Sequence, residues 1–327
     1  KCITFFGKIL DFFEKTPQWE DLTSVNLKKF NEYLLANLSP NSVKTYIAEL
    51  RSVINLYKDD VESILSQAAG LETYHNHTLL HDDVMDQADM RRNKPTVHNV
   101  WNENTAILSG DAMLILAYRL MADCPKDKLA EVLHVFTETT MEICEGQQWD
   151  MEFETRMDVK VDEYIEMIRL KTSVLLANAL QTGAYIAGAD EQAQEALYQF
   201  GINIGLAFQI QDDILDVWGD PKTFGKAVGG DISCNKKTFV YLEAMRRLGD
   251  EAKGNELQQW YSQVLEDNTE KIVAVKKIFE QLGVREQCEK VVEDYTQKAL
   301  DILDKLPQNQ ATEHLRQLAN KLNTRNS

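Results

Sequence analysis

Residues 201–216 read GINIGLAFQIQDDILD, a stretch without proline in which small and apolar residues lead into three aspartates. Small residues such as Gly201 and Gly205 let neighbouring helices approach closely, and the apolar content favours a helix that packs against others. Asp212 and Asp216 are four positions apart, so they lie about 40° apart around a helix axis and project from one face. The stretch therefore predicts a packed helix that carries an acidic face.

A second acidic stretch of the same form, LLHDDVMD, occupies residues 79–86 and repeats the spacing at Asp82 and Asp86. The chain has 52 acidic and 35 basic residues, so one such cluster alone is more often a solvated helix face. Two clusters beside apolar sequence are different, because carboxylates next to an apolar helix surface need partners. Magnesium prefers carboxylate oxygen, water and phosphate. The pair therefore favours a magnesium site over two solvated faces.

The rest of the chain is predicted to be almost entirely helical. Residues 126–220 and 222–306 contain no proline, and apolar residues recur every three or four positions. Alternating strand patterns bounded by turn signals are absent. We predict an all-α fold, with helix ends near residues 91–95, 123–125, 188–190 and 218–221, where proline, glycine, aspartate and asparagine gather.

The composition disfavours several classes of protein. A net charge of −17 argues against nucleic-acid binding, because phosphate backbones are bound by basic surfaces. The five cysteines show neither metal-ligand spacing nor disulfide density, which favours a cytoplasmic location. No segment approaches the roughly 18 consecutive apolar residues of a membrane span, so we expect no integral membrane segment. Because the chain begins at Lys1 rather than methionine, we expect a trimmed sequence or an internal start.

Several further motifs surround the two clusters in a fixed order. They are His75-x4-Leu80-His81-Asp82-Asp83-x2-Asp86, Arg91-Arg92-x2-Pro95-Thr96, Glu145-Gly146-Gln147, Lys171-Thr172, Gly205-x2-Phe208-Gln209-Ile210-Gln211-Asp212-Asp213-x2-Asp216 and Gly225-Lys226-x2-Gly229-x-Asp231-Ile232. In this order and spacing, residues 58–327 resemble the trans-isoprenyl diphosphate synthases, also called polyprenyl synthetases. The resemblance implies a single large bundle of long, mostly antiparallel helices around a central cavity.

The resemblance also implies a reaction. These enzymes join an allylic diphosphate to isopentenyl diphosphate: the allylic carbon–oxygen bond ionises, the carbocation attacks the homoallylic double bond, a proton is lost and pyrophosphate is released. About three Mg²⁺ ions per active site would neutralise the leaving group. The implied metal set is Asp82, Asp86, Asp212 and Asp216. Within it Asp82, Asp86 and Asp212 are the expected direct ligands, whereas Asp83, Asp213 and Asp216 would support metal-bound waters or orient the ligands.

Cations and polar side chains around those metals receive roles from the same resemblance. Arg91, Lys171 and Lys226 would clamp the allylic diphosphate, with Lys236 at the edge of the site. His75 and Arg92 would hold the second diphosphate. The residues expected to act in catalysis are Lys171, Thr172, Gln209 and Lys226, of which Thr172 and Gln209 would stabilise the developing cation. The released pyrophosphate is the expected proton acceptor.

Product length should depend on the apolar pocket below the first cluster. His77 and Thr78 lie about 7.5 and 6 Å below Asp82 along a helix, and Tyr74 lies one turn lower. These three residues are the predicted pocket floor. In the family, bulky residues here stop chain growth early and small ones permit long products. Because His77 is intermediate in size, we predict C15 to C20 products.

The N-terminal part of the chain departs from the family. Residues 40–46 read PNSVKTY where the family carries a basic Gly-Gly-Lys-Arg-x-Arg-Pro motif that binds isopentenyl diphosphate, and only Lys44 is close in spacing. Residues 20–57 instead resemble the N-terminal helical segment of phage-type tyrosine recombinases. We therefore predict two parts: residues 1–57, an atypical helical segment that is either a fusion or a replaced family N-terminus, and a synthase domain at 58–327. DNA binding is not expected.

Three functions stay open on the sequence alone. The first is the prenyltransferase, expected to act as a homodimer. The second is a class I terpene cyclase, although Asp212 to Asp216 departs from the Asn/Ser/Glu type of second metal motif that cyclases usually carry. The third is a non-catalytic or chimaeric member impaired in isopentenyl diphosphate binding. A zinc site at His77 and His81 is disfavoured, because no third ligand has a recognisable spacing.

Overall fold

The computed structural model describes residues 65–92, 94–219, 228–249, 256–265 and 267–323. The predicted segment at residues 1–57 lies outside this part of the chain, as does Lys226. Within the described residues, a two-stranded antiparallel hairpin, β1 (Met90–Arg91) with β2 (Lys94–Pro95), is the one departure from helix, turn and loop. The all-α class predicted from the sequence is therefore confirmed.

The helices differ widely in length, and the two aspartate clusters lie on two of the longest. In chain order the helices are α1 (Leu65–Met85), α2 (Val97–Val100), α3 (Glu103–Met121), α4 (Leu129–Thr155), α5 (Val161–Ile168), α6 (Val174–Ala187), α7 (Glu191–Trp218), α8 (Gly230–Ser233), α9 (Phe239–Leu248), α10 (Glu256–Tyr261), α11 (Thr269–Gln281), α12 (Val284–Leu303) and α13 (Gln310–Asn323). A single π-helical turn, Arg169–Ser173, joins α5 to α6. We call it the π turn.

Local chemistry places the helix ends near the predicted positions. Asn102 caps α3 by accepting the Thr105 N–H at 2.8 Å, and Asp190 caps α7 by accepting the Ala193 N–H at 2.8 Å. Both caps satisfy N–H groups that the first turn of a helix leaves unpaired. After α6 the chain turns through Gly188, whose φ of 81° lies in the left-handed region that glycine adopts without strain.

The described residues belong to two compact units. The first comprises the described parts of residues 1–138, 178–194 and 309–312, and the second those of residues 139–177, 195–308 and 313–327. In the first unit α1 packs closely on α3, because Gly70 brings the backbone against Met121 and Ala117. Leu71 and Tyr74 are buried there, and burial of such a side chain contributes about 1.5–3 kcal/mol.

The second unit contains the glycines of the stretch that predicted close helix packing. A Cβ at Gly201 would lie 2.5 Å from the Ala177 Cα, and one at Gly205 would lie 2.6 Å from the Ser173 Cα. Neither position has room for a side chain, so the prediction of close approach is confirmed. In the part of the chain that the structure describes, no helix is long and apolar enough to cross a membrane.

Candidate active site

The first aspartate cluster lies at the C-terminal end of α1, in the first unit. Asp83 is buried, Asp82 is half-buried and Asp86 is exposed. Arg91, at the end of β1, donates from Nε to Asp83 Oδ1 at 2.7 Å and from Nη2 to Asp82 Oδ2 at 3.1 Å. Such charge-assisted bonds are about twice as strong as neutral ones. A predicted diphosphate clamp residue thus contacts Asp82, a predicted metal ligand, and Asp83, which was predicted to orient the ligands.

The hairpin that carries Arg91 is fixed to the end of α1. The Thr96 hydroxyl donates to the Ala88 carbonyl oxygen at 2.6 Å, and the Thr96 N–H donates to the Asp89 carbonyl oxygen at 3.1 Å. Arg92 adopts a φ of 52° at the turn. This left-handed position was not predicted from the sequence, and only the hairpin geometry reveals it.

The charges of Arg91 and Arg92 both act on His75. The pKa of His75 is lowered from 6.5 to about 4, chiefly by burial and further by the charges of Arg92 and Arg91. Burial raises the pKa of Glu72, whose Oε2 lies 4.0 Å from His75 Nδ1, and Arg92 acts in the opposite direction. His75 is therefore neutral near pH 7. The charge of Arg92 therefore acts on His75, the other residue predicted to bind the second diphosphate.

A ladder of aromatic rings runs below the first cluster. Tyr74, 1% exposed, packs edge-on against Phe136 with centroids 5.4 Å apart and lies 5.5 Å from the His77 ring. The His77 ring lies 4.5 Å from the His81 ring, and Tyr118 packs on Phe136 at 5.0 Å. Two of the predicted floor residues, Tyr74 and His77, are therefore in contact with one another inside the first unit. Their role in product length remains a prediction.

The rings of His77 and His81 form hydrogen bonds with backbone carbonyl oxygens rather than converging on a metal position. His77 Nδ1 lies 3.0 Å from the Gly110 carbonyl oxygen and His81 Nε2 lies 3.1 Å from the Ile107 carbonyl oxygen, so each ring donates an N–H to α3. Burial is the main reason that the pKa of His77 falls to about 4. Thr78 donates its hydroxyl to the His75 carbonyl oxygen at 2.8 Å.

The second aspartate cluster lies on α7, in the second unit, where Asp213 and Asp216 are buried and Asp212 is half-buried. Asp213 is buried and accepts the Tyr164 hydroxyl at 2.6 Å and the Phe239 N–H at 3.0 Å. Burial, followed by the charge of Asp231, raises the pKa of Asp213 well above its usual range. Asp213 thus anchors α5 and α9 to α7. Tyr164 was not among the predicted site residues, because it lies 49 residues away along the chain.

Asp216 organises the segment that follows. Its Oδ2 accepts the Asp231 N–H at 3.1 Å, and its backbone carbonyl accepts the Gly229 N–H at 2.7 Å. Gly229 has a φ of 85°, which makes glycine the favoured residue there. Lys236, predicted to lie at the edge of the site, follows in this segment, and its backbone N–H donates to the Asp231 carbonyl oxygen at 2.9 Å.

Lys171 and Thr172 project from the π turn. The Val174 N–H bonds to the Arg169 carbonyl oxygen, five residues back, so the turn holds one more residue than an α-helical turn. Lys171 Nζ lies 2.6 Å from Asp150 Oδ2 on α4. The Thr172 hydroxyl donates to Gln209 Oε1 at 3.3 Å. Thr172 and Gln209, predicted to act together, are therefore in contact within the second unit.

Two glycines let the neighbouring helices α4 and α7 approach the π turn closely. A Cβ at Gly146, on α4, would lie 2.3 Å from the Lys171 N, and Gly205, on α7, meets Ser173 in the same way. The Glu145-Gly146-Gln147 motif was recognised in the sequence, but the close contact of Gly146 with the π turn was not predicted. Asp150 was not predicted either, although it lies four residues after Gly146 and so shares its helix face.

The residues fit magnesium better than a soft metal. Among the described residues, no three His, Cys, Asp or Glu side chains converge on a preformed metal position. Magnesium tolerates this arrangement, because it keeps several waters and is commonly held by one or two carboxylates together with substrate phosphates. The carboxylates of both clusters are suitable hard ligands for it.

These observations define a class of protein. It is an all-α protein with two aspartate clusters, an arginine in contact with the first cluster, and a π turn that carries a lysine and a threonine. A sequence profile described as Polyprenyl synthetase matches residues 29–282. The chain belongs to this family.

Individual relatives agree with the profile. The chain is 37% identical over 292 residues to the geranylfarnesyl diphosphate synthase of Natronomonas pharaonis, covering 88% of this chain and 83% of that one. It is 46% identical over 199 residues to the short chain isoprenyl diphosphate synthase of Methanocaldococcus jannaschii, an alignment that spans 61% of each chain. A crystal structure of a geranylgeranyl pyrophosphate synthase is 44% identical, with a TM-score of 0.81, and covers 93% of this chain and 99% of its own.

Proposed function

We propose that this chain condenses an allylic diphosphate with isopentenyl diphosphate and releases pyrophosphate. The observation that carries the proposal is the contact of Thr172 with Gln209 on the helix of the second aspartate cluster, next to Lys171. An ammonium suited to a diphosphate there adjoins a hydroxyl and an amide suited to a developing cation. The names of the relatives support the same activity.

Magnesium is the proposed metal, and its ligands are Asp82, Asp86, Asp212 and Asp216. When bound, magnesium neutralises the leaving pyrophosphate and lowers the energy needed to separate charge. The number of ions, about three by the family resemblance, belongs to this proposal. Arg91 supports it, because its guanidinium contacts Asp82 and Asp83 and would supply positive charge to a diphosphate held there by magnesium.

The other proposed site residues bind the two diphosphates or stabilise the developing cation. Lys171, Lys226 and Lys236 join Arg91 in holding the allylic diphosphate, and His75 with Arg92 holds the second diphosphate. Gln209 is oriented from both ends, because its Nε2 donates to Asp213 at 3.4 Å and its oxygen accepts from Thr172. That amide oxygen can stabilise positive charge. Pyrophosphate, once released, takes the proton that leaves the carbon beside the new carbocation, and that loss forms the double bond of the product.

The proposed products are C15 to C20 prenyl diphosphates. Tyr74, His77 and Thr78 form the proposed floor, and the buried contact of Tyr74 with Phe136 supports a closed lower end. The relatives named above include a geranylgeranyl and a geranylfarnesyl synthase, names that correspond to C20 and C25 products.

A homodimer and a cytoplasmic location complete the proposal. Helix α3 carries Leu108 and Ile115, seven residues apart and 68% and 70% exposed, with Ile107 beside them. Large apolar side chains this exposed on one helix face are typical of an interaction surface. We propose that a second copy of the chain covers them, which sedimentation analysis of wild type and Ile115→Glu would test.

The terpene cyclase is the less favoured alternative. The relatives described above carry the names of isoprenyl diphosphate synthases, and the second cluster of this chain has aspartate at its third acidic position. A non-catalytic member is the remaining alternative, and it depends on residues 1–57, which the structure does not describe.

One experiment separates the three functions. The protein is incubated with magnesium, radiolabelled isopentenyl diphosphate and dimethylallyl, geranyl or farnesyl diphosphate, and the dephosphorylated products are sized by chromatography. Linear C15 or C20 alcohols are the expected result. Cyclised hydrocarbons would favour the cyclase, and no product with any allylic substrate would favour the non-catalytic member.

A further inference from the structure

We propose that Asp150 is a positioning residue, which holds the Lys171 ammonium where it meets the diphosphate of the allylic substrate. The proposal rests on the proposed function and adds a residue that none of the sequence motifs contains. Lys171 Nζ and Asp150 Oδ2 are 2.6 Å apart, and the two side chains are 25% and 19% exposed. Because the pair is partly buried, water and salt screen it less than they screen an ion pair on the surface, and its geometry is better defined.

The backbone around the pair fixes where the carboxylate lies. Gly146 and Asp150 are four residues apart on α4, and both face the π turn. Gly146 brings the α4 backbone against Lys171 N, and Asp150 then meets the ammonium of the same residue. Lys171 is therefore held twice, once at its backbone and once at the end of its side chain.

Holding the ammonium in this way matters for binding. A free lysine side chain samples many rotamers, and ordering it costs conformational entropy. Asp150 orders the side chain before the substrate arrives, so less of that cost falls on diphosphate binding. An ammonium has three N–H donors, so a bond to Asp150 is compatible with bonds to phosphate oxygens.

The charge of Asp150 also reaches the buried part of the second unit. Burial is the main cause of the raised pKa of Tyr164, and Asp150 is among the carboxylates that raise it further. The Tyr164 hydroxyl in turn donates to Asp213, the buried member of the second aspartate cluster.

A second ion pair joins the same two elements and provides a matched control. Arg169, the first residue of the π turn, donates to Glu142 Oε1 on α4 at 3.1 Å. Glu142 lies two turns before Asp150, and Arg169 lies two residues before Lys171. If Asp150 only fastens α4 to the π turn, loss of either carboxylate should have the same consequence.

The test compares Asp150→Ala, Asp150→Asn and Glu142→Ala with wild type. Steady-state kinetics give kcat and a separate KM for each substrate, and titration calorimetry measures binding of inorganic pyrophosphate with magnesium. For Asp150→Ala we expect the allylic KM and the pyrophosphate Kd to rise about tenfold, with the isopentenyl diphosphate KM within about threefold of wild type. Asp150→Asn keeps an acceptor oxygen and should recover most of the loss, and Glu142→Ala should leave both constants near wild type.

Two results would overturn the proposal. One is an Asp150→Ala enzyme with wild-type allylic KM and pyrophosphate affinity. The other is equal impairment by Asp150→Ala and Glu142→Ala with both substrate constants raised, which would mean that Asp150 only fastens the helices. An inactive wild type would refute the proposed function instead, and the pyrophosphate titrations would still decide the role of Asp150.

Discussion

Gly146 should not tolerate a side chain, and the consequences should reach Lys171. A Cβ there would lie 2.3 Å from Lys171 N and 2.8 Å from Leu170 C and Lys171 Cα, whereas ordinary contacts begin at 3.4 Å. All three atoms belong to the backbone, so Gly146→Ala must separate α4 from the π turn by roughly 1 Å. Overpacking of this kind costs about 1–3 kcal/mol, and misplacing a binding group by about 1 Å costs up to about 100-fold in rate.

Gly201→Ala is the matched control for this substitution. A Cβ at Gly201 would lie 2.5 Å from the Ala177 Cα and 2.7 Å from its N, so the steric conflict is of the same kind. Both changes replace a helical glycine with alanine, and the gain in helix propensity of about 1 kcal/mol is common to both. Ala177, however, lies outside the π turn and has no proposed role in substrate binding.

The assay combines urea denaturation with steady-state kinetics. We expect both variants to lose free energy of unfolding, and Gly146→Ala alone to lose about 10- to 100-fold in kcat/KM for the allylic substrate. Wild-type stability and activity in Gly146→Ala would refute the close approach of α4 to Lys171. Equal losses of activity in both variants would refute its specific link to diphosphate binding.

Three further predictions concern the pocket, pH and the second cluster. Replacing His77 with alanine should lengthen the product, and an unchanged product distribution would show that His77 is not part of the floor. The pKa of His75 is about 4 when folded and 6.5 ordinarily, so the unfolded state gains the proton first as pH falls below 6.5. The contribution of His75 to the free energy of unfolding should therefore decrease by about 2 kcal/mol between pH 7 and 5. His75→Gln should remove that contribution in urea denaturation at the two pH values. Tyr164→Phe should cost about 1–3 kcal/mol, because buried Asp213 loses a donor, whereas Tyr118→Phe, which breaks a neutral hydrogen bond of 3.3 Å, should cost less in the same assay.

The sequence predicted the elements that depend on local pattern. The helical class, the helix ends and the close approach at Gly201 and Gly205 followed from proline spacing, capping residues and small residues, and the structure agrees. The contact between Thr172 and Gln209 was anticipated through the family motifs. Only the family motifs could relate the two residues, because they are 37 positions apart and no local pattern connects them.

Other features depend on tertiary packing and were not predictable. The π turn requires one residue more than an α-helical turn, and neither composition nor periodicity indicates where that residue is inserted. Tyr164 becomes a partner of Asp213 only when α5 packs beside α7. Asp150 is the exception, since its spacing of four from Gly146 placed it on the face of a recognised motif and could have identified it.

The most direct test of the proposed chemistry is the rate of prenyl transfer by Asp212→Asn, measured with magnesium and both substrates. Asp190→Asn, at the start of the same helix, is the control, because asparagine also caps a helix and can replace the cap that Asp190 makes with Ala193. If Asp212 is a magnesium ligand for the departing pyrophosphate, its variant should lose about 100- to 1,000-fold in kcat, while Asp190→Asn stays near wild type. Prenyl transfer by Asp212→Asn at the wild-type rate would contradict the proposed role of the second aspartate cluster.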